Sequence, residues 1–238
     1  MAEKIIKGYL INTHDYNVFD SIITILNDQN EKIVCYAPGV RKISSKNGRL
    51  MQFGSFLEFE IFHSIDKMSK LKKINLLSEL DFEYSNFISI HIMNDLIKNN
   101  NNLEINLFDL YQRNIINILK FKDDLIVAIL LLINYLHLLE IEIDFNNCQC
   151  KENMNIKTVD IESLNSMCDF CYDKEYRINT SVFNTWKIFD LYIKNDFDSN
   201  LLPEVVENKV YFNIIKILSI IIYKHFKVYT LTVKHNFQ

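Results

Sequence analysis

The spacing of apolar residues changes once along this chain, close to Asp81, and that change constrains the fold more than any single motif. Before it, apolar residues alternate. In the run FLEFEIF, Leu57, Phe59 and Ile61 fall on one side and Glu58 and Glu60 on the other, the two-residue period of a half-buried strand. Phe53, Phe56, Phe59 and Phe62 share a three-residue spacing, but the Leu/Glu alternation decides for a strand. Four more β-rich runs surround it: KIIKGYLINT, where Gly8 marks a bend or bulge, then SIITIL, IVCYA and KLKKINLL. NDQNEK and Pro38-Gly39 supply the turns. Five short strands within roughly 75 residues predict a small barrel, of which the OB-fold is the best-known five-stranded form.

Beyond Asp81 the period becomes helical. Phe87, Ile90, Met93 and Ile97 mark one helix, and Leu107, Tyr111, Ile115 and Ile118 a second. Asp123 and Asp124 suit a helix start, where negative charge is favoured, ahead of the apolar run Leu125–Leu139. Val182, Trp186, Phe189 and Ile193 mark a fourth helix, with Thr180 or Ser181 as its cap. A fifth begins after Pro203, near Glu207, and carries FNIIKILSIIIYKHF; the closing KVYTLTV is ambiguous. The expectation is an α+β chain: an OB-fold barrel over 1–79, then a helical domain over 80–238 with a cysteine-rich insertion at about 145–178. Leu125–Leu139 is interrupted by Asn134 and His137 and falls short of the ~20 apolar residues that cross a bilayer. MAEKIIKGYLINTHDY lacks a signal-peptide pattern. The chain is therefore expected in the cytoplasm, with its cysteines reduced or metal-bound, and no membrane partner.

A net charge of −4 hides an asymmetry. Between residues 32 and 57 the charged residues are Lys32, Arg41, Lys42, Lys46 and Arg49; from 208 to the end they are Lys209, Lys216, Lys224, Lys227 and Lys234. Neither segment contains an acid. Both suit a polyanion, while a solvated polar loop is the plainer reading of the first. Cys148, Cys150, Cys168 and Cys171 form a C-x-C…C-x-x-C set with seventeen residues between the pairs. Four thiolates on two short knuckles suit a closed, structural, tetrahedral Zn²⁺ shell; four reduced thiols in an insertion are the alternative. Cys35 stands alone in a strand and is expected in the core.

With these parts in order, the sequence resembles the RecO family of bacterial recombination mediators. GVRKISSKNGRLMQFGSFLEFEIF carries the resemblance through Gly39, Arg41, Lys42, Ser45, Lys46, Leu50, Leu57 and Glu58; DYNVFDSIITIL adds Asp15, Tyr16, Asp20 and Ile22. The cysteine insertion falls where many members carry a four-cysteine zinc element, and YKHFKVYTL is similar to the family's C-terminal helix and tail. The chain departs from the pattern at Ser21 and Pro38, usually basic positions, and in its shortened C-x-C pair. The resemblance implies binding of single- and double-stranded DNA, annealing of complementary strands, and help in loading RecA onto strands coated by single-strand-binding protein. It implies RecR and the acidic tail of single-strand-binding protein as partners, a nucleoid-associated location, and Zn²⁺ as a structural cofactor.

On that reading Lys32, Arg41, Lys42, Lys46 and Arg49 contact phosphates, and Tyr9 and Tyr36 are candidate stacking residues. Ser44, Ser45, Asn47 and Gly48 are expected to keep the basic loop flexible. The two lost basic positions shift weight to Lys209, Lys216 and Lys227, which fall within about 40° of each other on a helix if it reaches Lys227. Annealing needs no catalytic residue, and the sequence has no P-loop, G-x-G-x-x-G or H-E-x-x-H. His91 and His137 fall in apolar helices as expected core residues. A zinc deaminase would need H-x-E beside C-x-x-C, and no H-x-E occurs. The competing class is a zinc-stabilised protein-interaction scaffold that does not bind nucleic acid.

Overall fold

The computed structural model describes residues 2–64, 67–81, 87–100, 105–121, 123–148, 150, 155–171, 178–195, 202, 206–228 and 230. Strands β1 (Ala2–Asp15), β2 (Ser21–Asn27), β3 (Lys32–Ala37), β4 (Phe56–His63) and β5 (Ser69–Ser78) form a closed barrel in the order β1-β2-β3-β5-β4. All neighbours are antiparallel except β3 and β5, which meet in parallel through Cys35↔Ser69 and Tyr36↔Lys70 alone. This is the OB-fold. β1 closes it by pairing with β4 through its first half and β2 through its second. A register shift between Leu10 and Asn12 supplies the bend, so the bulge lies beyond Gly8, not at it. Gly8 has another reason: a Cβ there would stand 2.1 Å from the Leu26 carbonyl oxygen. The alternation in β4 is realised as drawn from sequence, with Leu57, Phe59 and Ile61 inside and Glu58 and Glu60 less buried. Ile6, Leu10, Ile23, Ile25 and Ile74 complete the core with a fully buried Cys35, whose thiol burial pushes up to about 11. Each such aliphatic side chain contributes about 1.5–3 kcal/mol by leaving water.

The compact units are 1–120 and 121–238. The first therefore continues past the end of the barrel at residue 78. It holds α1 (Lys46–Leu50), α2 (Ile88–Asn99) and nearly all of α3 (Leu107–Phe121). The β2–β3 turn fastens both long helices. Asn30 Oδ1 accepts the first N–H groups of α3, from Leu107 at 2.8 Å and Phe108 at 3.1 Å, and its Nδ2 donates to Ile105 O at 2.7 Å. Lys32 Nζ donates to the carbonyls of Ile97 (2.9 Å) and Asn100 at the other pole, the C-terminus of α2. Orphan groups at two helix ends are thus satisfied from one turn.

The second unit contains α4 (Asp124–Leu138), the antiparallel hairpin β6 (Ile156–Val159) and β7 (Ser166–Cys168), α5 (Thr180–Lys194) and α6 (Asn208–Phe226). Asp123 caps α4, accepting from Leu125 and Ile126, as its sequence suggests. α4 is buried on nearly every side, which explains its long apolar run. The cap of α5 is Asn179, one residue before the expected Thr180 or Ser181; its side chain accepts from Ser181 N. His137 is not a plain core residue: its Nε2 lies 2.8 Å from Asp190 Oδ1, and Lys194 meets the other oxygen of that buried carboxylate at 3.0 Å. No helix among the described residues is long and apolar enough to cross a membrane. Most of the ambiguous KVYTLTV lies outside the described residues.

Candidate nucleic-acid interface and metal centre

The barrel's polar rim is organised around Asp20. Its Oδ1 accepts the Gly39 N–H and its Oδ2 the Tyr36 hydroxyl, both at 2.7 Å, while Asn17 Nδ2 adds a bond at 3.2 Å. These bonds, the Gly39 one foremost, hold its carboxyl below the usual range. Gly39 turns the chain with φ +66°, a conformation that favours glycine. The Arg41 N–H then donates to Phe19 O at 2.9 Å, so the β1–β2 loop and the segment after β3 are laced together. An open hollow of about 560 Å³ lies between them, lined by Asn17, Val18, Phe19, Asp20, Pro38, Gly39 and Lys42.

The segment after β3 is less flexible than its composition suggests. Ser45 caps the short α1, accepting from Gly48 N, and Asn47 acts as a surrogate strand partner for β5. Asn47 Oδ1 accepts from Ile74 N at 3.0 Å and its Nδ2 donates to Lys72 O at 3.2 Å. This fastens the side of the barrel where β3 and β5 pair only briefly. Lys42, Lys46 and Arg49 are exposed and enter no ion pair among the described residues. Lys42 Nζ lies 5.5 Å from the centre of the Phe19 ring. Arg41 is partly engaged, with Nη2 at 2.9 Å from Asp15 Oδ2 and Nη1 donating to Asn17 O. Elsewhere on the barrel Lys72 and Lys73 are balanced by Glu3 and Glu60.

Three sequence expectations change here. Lys32 does not belong with the exposed cations, because its ammonium is spent on α2. Tyr9 is no stacking platform: it is buried against Tyr111, ring centres 4.3 Å apart, with Phe56 and Phe108 beside it. Tyr36 is half-buried with its hydroxyl committed to Asp20. Among the described residues of the barrel, the aromatic rings most exposed to solvent are Tyr16 (54% exposed) and Phe19 (49%), with Val18 (76%) between them. Neither ring is among the stacking candidates expected from the sequence, although large apolar side chains inside the polar turn DYNVFD are a legible signal. In the second unit Lys209, Lys216 and Lys227 are all exposed. α6 ends at Phe226, and Lys227 is its left-handed cap at φ 58°, so the shared face holds only Lys209 and Lys216, about 20° apart.

The four cysteines converge. Hairpin β6–β7 carries Cys168 at its end and Cys171 just beyond, and Cys148 and Cys150 approach from the chain after α4. Their sulfurs all lie within 4.8 Å of one another, with Cys150 and Cys168 3.6 Å apart. A tetrahedral shell with metal–sulfur bonds of about 2.3 Å has sulfur–sulfur edges of about 3.8 Å, so the donor set fits one metal ion. The backbone N–H groups of Cys150 and Cys168 bring the Cys148 thiol down to about 6; hydrogen bonds to its neighbours' sulfurs push Cys171 up to about 12. Asp160 orders the hairpin turn through Glu162 N and Ser163 Oγ, and Glu162 ties it to Lys224 of α6 at 2.9 Å.

The family profile described as "Recombination protein O N terminal" matches residues 1–80, the barrel. A DNA repair protein RecO of Mycoplasma mycoides subsp. mycoides is 31% identical over 220 residues, 87% of each chain. Its namesake in Mycoplasma capricolum subsp. capricolum is 30% identical over 218 residues, 85% of each. One from Mesoplasma florum is 32% identical over 127 residues, 50% of this chain and 47% of that one. In its barrel and along most of its length, this chain belongs to the RecO family.

Proposed function

We propose that the protein is a DNA repair and recombination mediator that binds single-stranded DNA through its barrel, binds duplex more weakly, and anneals complementary strands without a catalytic step. The observation that supports this reading is the run of exposed cations after β3. Lys42, Lys46 and Arg49 enter no ion pair among the described residues, no acid lies in that segment, and Lys42 sits at the exposed Phe19 ring. Free cations displace the counterions condensed on phosphates, and the β1–β2 loop is one that OB-folds use for oligonucleotides. Annealing then follows from electrostatics: two strands repel, and a bound cationic surface lowers that repulsion.

Lys209 and Lys216, exposed on one face of α6, are candidate phosphate contacts of the second unit by itself. Zn²⁺ is the metal whose chemistry best suits four thiolates in a closed shell, and its role is to hold the hairpin and its two knuckles. RecR, the acidic tail of single-strand-binding protein and, through them, RecA are the partners that family membership supports, as is a nucleoid-associated place in the cytoplasm. The test is annealing of complementary strands precoated with single-strand-binding protein. Acceleration by this chain supports the proposal. A chain that binds zinc but neither DNA nor coated strands would instead be a protein-interaction scaffold.

A further inference from the structure

We infer that Tyr16 and Phe19 form a stacking subsite for unpaired nucleobases, which gives the interface its preference for single strands over duplex. This rests on the nucleic-acid reading above and adds what that reading lacks, since phosphates occur in both forms of DNA and cations alone do not tell them apart. Bases in a duplex have their faces covered by their neighbours; unpaired bases offer a π-face to any ring that reaches them.

Five observations point to these rings. They are exposed in a turn that polar residues would close equally well, so core packing does not account for them. The turn is held rather than loose: Tyr16 N donates to Asp20 O at 3.1 Å, and Asp20 binds Tyr36 and Gly39. Tyr16 packs edge-on to Tyr36 at 5.8 Å, which fixes the ring's direction. Lys42 Nζ lies over one face of the Phe19 ring, so a base on the opposite face has an ammonium close by for its own phosphate. The hollow between the loop and Gly39 gives the base room, with the Asn17 amide on its wall. Asp20 is a positioning residue, because its bonds to Tyr36 and Gly39 set the loop and the turn.

The experiment compares binding of three probes of equal phosphate number at fixed salt: an unpaired oligonucleotide, a blunt duplex, and an abasic strand. Each is titrated against the wild-type chain, Tyr16→Ala/Phe19→Ala and Phe19→Trp. The alanine pair should lose about five- to a hundredfold on the unpaired strand, keep its affinity for duplex and abasic strand within about twofold, and keep the wild-type salt slope. Phe19→Trp should bind the unpaired strand at least as well as wild type. Equal losses on all three probes, or no loss on the unpaired one, overturn the inference and leave the electrostatic reading standing. Failure of the wild-type chain to bind any probe overturns both.

Discussion

Replacing Asn30 with alanine tests how the barrel and its helices are joined. Three hydrogen bonds end on this side chain, two from the first N–H groups of α3 and one to Ile105 O. Losing an N-terminal cap costs about 0.5–2 kcal/mol, and the third bond adds about 0.5–1.5. Asn30 also sits at φ 62°, where alanine carries about 1–2 kcal/mol of strain that asparagine partly escapes. Together these give a destabilisation of about 2–5 kcal/mol for Asn30→Ala. Asn30→Gly removes the strain but not the lost bonds and should cost about 1 kcal/mol less than alanine. Asn30→Asp keeps both acceptor bonds beside a helix N-terminus and should be the mildest. The measurement is urea unfolding followed by circular dichroism, because the only tryptophan, Trp186, lies in the second unit. A cost below about 0.5 kcal/mol for alanine, or an aspartate as damaging as alanine, refutes the cap.

Asp15→Asn releases Arg41 from its carboxylate and should raise single-strand affinity about two- to fivefold in a fluorescence titration; an unchanged or weaker affinity means Arg41 does not meet phosphate. Lys32→Met should lower the unfolding midpoint while leaving DNA affinity unaltered, because its ammonium caps α2; a loss of binding with full stability would return it to the interface. Elemental analysis of freshly reduced protein should give one zinc per chain, and Cys168→Ser should abolish it together with protease resistance of the hairpin; full occupancy in the serine variant contradicts a four-sulfur shell.

The barrel was legible because alternation is a local signal: FLEFEIF states which residues face inward before any partner strand is known. The cysteine cluster was legible for a similar reason, since paired knuckles at short spacing bring their own geometry. What the sequence hid are contacts between distant residues. Lys32 reads as one more cation until the C-terminus of α2, 65 residues on in the chain, is seen above it. Tyr9 reads as a half-exposed strand residue until α3 covers it with Tyr111 and Phe108. Asn47 reads as loop filler, yet it bonds the edge of β5. The Asp20 clamp joins residues 19 positions apart and has no periodic signature at all.

The central claim is that free cations on the barrel grip an unpaired strand by its phosphates. The most direct measurement is the salt dependence of single-strand affinity for wild type and for Lys42→Ala/Lys46→Ala/Arg49→Ala. Each phosphate contact contributes about 0.7 to the slope of log K against log salt on single strands. The triple variant should therefore bind more weakly at low salt and show a slope shallower by about 2. A wild-type affinity indifferent to salt, or a triple variant with the wild-type slope, would contradict the account.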